Sequence, residues 1–111
     1  MGSSIQPSKL FNYTFSVFEN EPRLVVEAPF QMLSDLSNLT LTDVESTIEM
    51  LKSVINELEM DYQWGASDYC VITSYPSTSL VEYDFFENDV VVPTKALLLL
   101  MQDWQKHLTT I

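Results

Sequence analysis

The sequence contains very little glycine. Gly2 and Gly65 are the only two glycines among 111 residues. A G-x-G-x-x-G turn and a P-loop both need several glycines to bring backbone N–H groups against phosphate. The sequence therefore excludes both of these common cradles for nucleotide phosphates.

Cysteine and histidine are equally scarce, and Cys70 and His107 are the only examples. A single cysteine excludes an intramolecular disulfide, and one Cys with one His nearly excludes a structural zinc site. The sequence also lacks the D-x-D-x-D-G loop that binds calcium. We therefore expect no metal and no cofactor. Since the run from Asp68 to Thr73 is apolar and strand-like, we expect Cys70 to be a small buried thiol.

Candidates for catalysis are few. His107 lies late in a C-terminal helical pattern, and no Ser or Cys stands at a motif spacing, so a triad would depend on His107 alone. We expect it to act as a cation that favours a helix end. Glu82 and Asp84 are spaced to share one face of a strand, but the alternation places that face in solvent. The sequence therefore predicts a protein that is not an enzyme.

Basic residues are the next shortage. Five Lys and Arg stand against 16 Asp and Glu, which gives a formal net charge of -11. A field of this sign repels phosphate backbones and anionic lipid, so we expect neither nucleic acid nor membrane as a partner. The same field attracts basic proteins and speeds their encounter. Solubility alone is the other interpretation of this charge.

Long apolar runs are also absent. The longest, residues 96–101, is too short to cross a bilayer, and residues 1–9 lack the apolar part of a signal peptide. These observations predict a cytoplasmic protein with a flexible N-terminus over residues 1–9. The rest, residues 10–111, is predicted to be a single domain, because 46% hydrophobic and 12% aromatic residues can form a core at this length.

The spacing of apolar residues predicts the order β-β-α-β-β-β-α, because alternation is typical of strands and steps of three and four are typical of helices. Tight turns between consecutive strands predict an α+β fold, with an antiparallel sheet of about four to five strands and two helices packed on it. Thr42 with Glu45 has the form of a capping box, and Thr40 is a rival N-cap. Strands are predicted at residues 10–18, 24–28, 69–75, 80–86 and 90–92, helices at about 42–62 and from Pro93-Thr94 onward, and a packed loop at 30–41.

The predicted site is a surface. Four acidic residues are expected to form a ridge over the fourth strand and its turn. Two more acids and two aromatic residues are expected to flank it, because the turn after the first long helix leads into the neighbouring strand. Aromatic anchors among carboxylates are typical of an interface for a basic protein. The alternative is that each is an ordinary solvated or core residue. The predicted contacts are Glu82, Asp84, Glu87, Asp89, Asp61, Asp68, Tyr62 and Trp64.

The segment from Val91 to Leu108 contains a Val-Pro-Thr helix start and an apolar helix with Trp104 near its end. It resembles the closing helix of small bacterial immunity proteins that accompany polymorphic toxins, including those of contact-dependent growth inhibition systems. The resemblance implies a cytoplasmic protein that binds one cognate toxin domain, often a basic nuclease, and blocks it by occlusion. It implies no particular contact residues, because immunity interfaces share no motif.

Three other functions remain possible from the sequence. Secretion chaperones for effector proteins are also small, acidic and α+β, but they are dimers that usually begin with a helix, whereas residues 10–28 predict a hairpin. An enzyme that uses carboxylates alone would need a large enclosed pocket. A mimic of DNA would carry regularly spaced acids, which this sequence lacks. We therefore expect a toxin-neutralising protein that is a monomer or a weak dimer.

Overall fold

A computed structural model of the chain describes residues 10–67, 70–83 and 88–110. The predicted flexible N-terminus, residues 1–9, lies outside them. In the described part, β1 (Tyr13–Phe18) and β2 (Glu21–Val26) form an antiparallel hairpin. A second antiparallel sheet has its strands in chain order: β3 (Tyr62–Ser67), β4 (Cys70–Ser74), β5 (Thr78–Tyr83) and β6 (Asn88–Pro93). The helices are a 3-10 helix (Gln31–Asn38), α1 (Leu41–Ile55) and α2 (Thr94–Thr110). The predicted α+β class is confirmed.

The first long helix is shorter than predicted, and a strand follows it. Helix α1 ends at Ile55, and Glu57 just beyond it has a φ of 61°. A left-handed residue at this position stops a helix. Leu58, which continues the helical spacing in sequence, is 75% exposed, and Tyr62 begins β3. The prediction of a helix to about residue 62 is therefore wrong.

The start of α1 differs by two residues from the first prediction. Thr40 is the N-cap: its Oγ1 accepts from the backbone N–H of Asp43 at 3.1 Å, and the Asp43 carboxylate accepts from the Thr40 N–H at 3.3 Å. The rival cap is thus confirmed, and the box at Thr42 is wrong. This register lets Leu39 and Val44, at the two ends of a hydrophobic staple, both pack into the core.

The segment predicted as a packed loop forms the 3-10 helix. Its serines protect the free edge of β2, because the N–H of Leu24 donates to Ser37 Oγ at 2.8 Å and the N–H of Val26 donates to Ser34 Oγ at 2.9 Å. Serine hydroxyls that bond another strand do not compete for the backbone of their own segment. Its apolar side chains enter the core at Met32, Leu33 and Leu36.

The β1–β2 hairpin packs on the end of α2 through aromatic side chains. Its turn residues Glu19 and Asn20 have φ values of 53° and 66°, as a two-residue type I′ turn requires. The Phe15 ring stacks on His107 at 4.3 Å between centroids and lies 5.7 Å from Trp104. His107 also falls in the last turn of α2, as predicted. The aromatic stack therefore fixes the hairpin against the helix.

A chain of buried hydroxyl groups joins the sheet to the start of α2. Trp64 Nε1 donates to Ser74 Oγ at 3.0 Å, and the hydroxyls of Ser74 and Ser79 are 2.7 Å apart. Ser79 Oγ lies 2.7 Å from Thr94 Oγ1, which donates to the Tyr75 carbonyl at 2.6 Å. The two serines and Thr94 have no exposed surface. Each of their hydroxyl groups therefore depends on the neighbouring polar groups of this row, and not on water, for its hydrogen bonds.

Cys70 is fully buried in β4, as predicted. Burial, followed by the nearby Asp35 carboxylate, raises the pKa of its thiol from 9.0 to about 11. The unfolded chain loses this proton at lower pH than the folded one. The contribution to stability is therefore complete below pH 9 and is lost as the pH rises towards 11.

We expect Cys70 to add a pH dependence to unfolding. The free energy of unfolding should fall by about 2–3 kcal/mol between pH 9 and pH 11 through this group. Urea titrations of the wild type and of Cys70→Ala across this range measure the difference. All other side chains are common to the two proteins, so an identical pH slope in both would contradict the assignment.

Candidate partner-binding surface

The sheet formed by β3 to β6 has one face towards the core and one face away from it. Side chains of the first face enter the same hydrophobic core as the helices, and they include Trp64, Ile72, Val81 and Val92. Those of the other face, which we call the outer face, do not belong to this core. The outer face presents Gln63, Gly65, Val71, Thr73, Leu80, Glu82, Asp89 and Val91.

Two of the predicted contacts meet on this face. Glu82 on β5 lies directly opposite Asp89 on β6. Like charges directly opposite each other in a sheet are destabilising. Within the described residues neither carboxylate forms an ion pair. An ion pair between Lys52 and Glu49, at 3.5 Å, lies within α1.

The hydrogen-bond pattern brings this pair close together. The N–H of Thr94 donates to the Ser77 carbonyl at 3.1 Å, so the pair they form is a hydrogen-bonded one. Hydrogen-bonded and non-hydrogen-bonded pairs alternate along two antiparallel strands. Counted from Ser77–Thr94 along the register of β5 and β6, Glu82–Asp89 is a non-hydrogen-bonded pair. The Cα atoms of such pairs are only about 4.5 Å apart, and their side chains are closer than in the other kind. The two carboxylates therefore concentrate negative charge.

No described basic residue lies on the outer face to offset this charge. Arg23 belongs to the hairpin, Lys52 to α1, and both Lys95 and Lys106 to α2. Beside the acids stand apolar side chains: Val91 is 65% exposed, and Leu80 is half-buried. The outer face thus combines paired carboxylates with an apolar strip.

The structure does not bring the other described candidates to Glu82 and Asp89. Asp61 is exposed just before β3, and the register puts it at the opposite end of the sheet from that pair. Trp64 points to the core and is 8% exposed, with its indole bonded to Ser74, so it is not available to a partner. Tyr62 is half-buried on the same side and stacks on Trp64. The remaining candidates, Asp68, Asp84 and Glu87, lie outside the described residues.

Sequence reasoning missed Val91 and Leu80 as members of this surface. A run of three valines, Val90 to Val92, gives no sign of which member faces solvent. The register of β6 shows which valine is exposed. Val92 is buried in the core, and Val91, which lies between Val90 and Val92, points to the opposite face of the sheet. The alternation of side chains identifies the exposed valine only once the register of β6 is known.

A second exposed surface lies on the hairpin. Val17 and Phe18 at its tip are 72% and 58% exposed, and the Arg23 guanidinium lies 5.6 Å from the Phe18 ring centre. A groove of about 470 Å³ runs from there between β2 and the start of α1, with Trp104 at its base. The buried indole N–H of Trp104 has no acceptor among residues 10–67, 70–83 and 88–110. This surface carries both signs of charge, Glu21 and Arg23, and lacks the acidic character of the outer face.

The described residues contain no group of three or more His, Cys, Asp and Glu side chains placed to hold a metal ion. No described helix is both long enough and apolar enough to span a membrane. Comparison with protein-family models, with curated protein sequences and with solved structures finds no match to this chain. The function must therefore be argued from the surface itself.

Proposed function

We propose that this protein is an immunity protein that neutralises a cognate basic toxin domain, by binding it through the outer face of the sheet. The observation that carries the proposal is the Glu82–Asp89 pair, which has no ion-pair partner in the described residues and stands beside the exposed Val91. The net charge of -11 extends the same negative field over the molecule. This combination suits a basic protein partner.

The acidic pair costs the free protein stability and favours the complex. A Lys or Arg of the partner placed between the two carboxylates removes their repulsion and gains attraction from both. Close charge pairs across interfaces contribute about 1.5–7 kcal/mol of coupling. Val91 and Leu80 supply apolar contact beside this charge, and the two together give affinity and orientation.

Occlusion follows from the chemistry of the partner. A nuclease binds the phosphates of its substrate with Lys and Arg side chains. An acidic surface that occupies those side chains competes with the nucleic acid directly, and its long-range field accelerates the encounter. We propose a cytoplasmic site of action, because the substrate of such a toxin is there.

We propose binding and not catalysis as the work of the outer face. Glu82 and Asp89 lie on an open sheet surface, where solvent reaches the exposed Asp89 side chain. Catalytic carboxylates act in sites that exclude water and fix the substrate. The outer face offers carboxylates without such walls, and this geometry suits recognition of cations.

The proposal is tested by reversing the charge of the pair. The immobilised protein first captures its partner from a lysate of its source cells, and the partner is purified. In a growth assay, cells then express this partner either alone or together with the protein. We expect growth arrest by the partner alone, rescue by the wild type, and loss of rescue with Glu82→Lys and Asp89→Lys combined. The affinity for the purified partner should fall at least about 30-fold, since about 2 kcal/mol or more of coupling is removed.

The matched control carries the same change of net charge elsewhere. Glu27 and Glu59 are both exposed and lie off the outer face, so Glu27→Lys with Glu59→Lys should retain rescue and most of the affinity. Equal losses in both double variants, or none in either, would contradict a binding role for this face.

Glu82→Gln should raise the free energy of unfolding by about 0.2–1 kcal/mol, because it relieves the repulsion between Glu82 and Asp89.

A further inference from the structure

Strand β6 leaves one backbone edge of the sheet open. It is the last strand in the order β3-β4-β5-β6, so only one side of it pairs with another strand. The hydrogen-bonded pair Ser77–Thr94 and the alternation that follows from it turn Val90 and Val92 towards β5. The N–H and C=O groups of Asp89 and Val91 therefore point outward. None of these four backbone groups has a hydrogen-bond partner in the part of the chain that the structure describes.

Two other sheet edges, those of β2 and β3, are protected. The outward N–H groups of β2 are bonded by Ser34 and Ser37. The edge strand β3 carries an irregularity between Gly65 and Ser67, and a bulge of this kind discourages further pairing. Strand β6 pairs with β5 in unbroken register over its whole length. Its regular backbone is thus a template for one more strand.

From this geometry we infer that β6 receives an extended basic segment of the partner as a fifth strand of the sheet. The inference rests on the proposed function and specifies how the partner binds. Residues of an added strand that lie opposite Asp89 and Val91 share the outer face with them, because opposite residues in a sheet point the same way. A Lys or Arg opposite Asp89 would meet Glu82 as well, across β6, and an apolar residue two positions away would cover Val91.

Charge selects this occupant over a second copy of the chain. Pairing β6 with another β6 would bring Asp89 and Glu82 of both copies onto one surface, with no described cation between them. Two molecules of net charge -11 also repel each other at long range. Pro93 has no N–H to donate, so the added strand pairs with Asp89 and Val91 and ends there. The segment is therefore short, and its affinity depends on its charge.

The probe is the peptide acetyl-Lys-Thr-Val-Thr-Lys-Thr-amide, titrated into isotopically labelled protein and followed by NMR. Its Lys and Val residues share one face, and their N–H groups are those that would donate to β6. We expect slowed hydrogen exchange at the amides of Asp89 and Val91, with shifts confined to β5 and β6. The control peptide carries N-methyl groups on the Lys and Val residues, keeps its charge, and should bind at least about tenfold more weakly because it cannot pair.

Variants of the protein test the same edge against its purified partner. Val91→Pro removes the outward N–H and should lower the affinity about tenfold or more, whereas Val91→Thr retains the N–H and should stay within about threefold of the wild type. Val17→Pro makes the matching change at the edge of β1 and should leave the affinity unchanged. Normal thermal unfolding of Val91→Pro shows that the variant is folded. If it is not, the methylated peptide with wild-type protein decides.

The outcomes separate this inference from the proposed function. If Val91→Pro and the methylated peptide bind as well as their controls while charge reversal at Glu82 and Asp89 abolishes binding, strand addition is wrong and the proposed function stands. If charge reversal leaves partner binding intact, both are wrong. A wild-type dimer in solution that Val91→Pro dissociates would assign the edge to a second copy and overturn the inference.

Discussion

Replacing Gly65 with alanine is expected to destabilise the protein by about 3–5 kcal/mol, the combined cost of a strained backbone and an overfilled site. Gly65 has a φ of 156°, which L-residues with side chains rarely adopt. A Cβ at this position would lie 2.3 Å from the Cys70 carbonyl oxygen, which belongs to the backbone of β4. That atom cannot move without breaking the pairing of β3 with β4.

Urea or thermal unfolding of Gly65→Ala measures this effect, which corresponds to a melting temperature lower by more than about 10 °C. Gln63→Ala, an exposed position two residues earlier on the same strand, is the control and should stay within about 0.5 kcal/mol of the wild type. A Gly65→Ala protein as stable as its Gln63→Ala counterpart would show that the close approach between β3 and β4 is not real.

The replacement Thr94→Val is expected to cost about 1–3 kcal/mol, although it conserves shape. It removes the hydroxyl that joins Ser79 to the Tyr75 carbonyl, and Ser79 and Thr94 have no exposed surface through which water could take its place. Ser79 keeps its bond to Ser74 but loses this second one, and the partly buried Tyr75 carbonyl loses its hydroxyl donor. Loss of the partner of a buried polar group costs about 1–3 kcal/mol.

The control for this change is Thr109→Val on the same helix. Thr109 is exposed and its hydroxyl donates to the Lys106 carbonyl one turn earlier, so the loss should be within about 0.5 kcal/mol. Chemical denaturation of the two variants side by side gives the comparison. Equal stability of Thr94→Val and wild type would mean that the buried hydroxyl chain does not hold the sheet to α2.

The sequence predicted those parts of the fold that local patterns determine. The apolar stripe of Val44, Ile48 and Leu51 marked α1, and the Pro93-Thr94 pair marked the start of α2. The end of α1 was missed because Glu57, without a glycine's freedom, takes the left-handed conformation that stops the helix. A glutamate gives no indication in the sequence that it will adopt a left-handed conformation.

Strand β3 was missed because its stability comes from pairing and not from local preference. Tyr62 continues the helical spacing of α1, and Gly65 weakens any strand pattern. In the structure Gly65 is needed within the strand, where β4 approaches closely.

The candidate surface was only partly predictable for a related reason. Alternation alone placed Glu82 on a solvent face, but its pairing with Asp89 depends on the register that β5 and β6 adopt across their connection. The same alternation could not show that Trp64 faces the core, because β3 itself was not recognised. Charge and composition predicted the kind of partner, and strand register shows which of the candidate residues share one face of the sheet.

The central claim, that the outer face of the sheet is where a basic partner binds, is tested most directly by cross-saturation NMR of the complex with methyl-labelled protein. Saturating the unlabelled partner is expected to attenuate the methyl signals of Val71, Leu80 and Val91, while those of Val17, Leu41 and Leu108 keep their intensity. The reverse pattern, with attenuation on the hairpin and its groove and none on the outer face, would contradict the account.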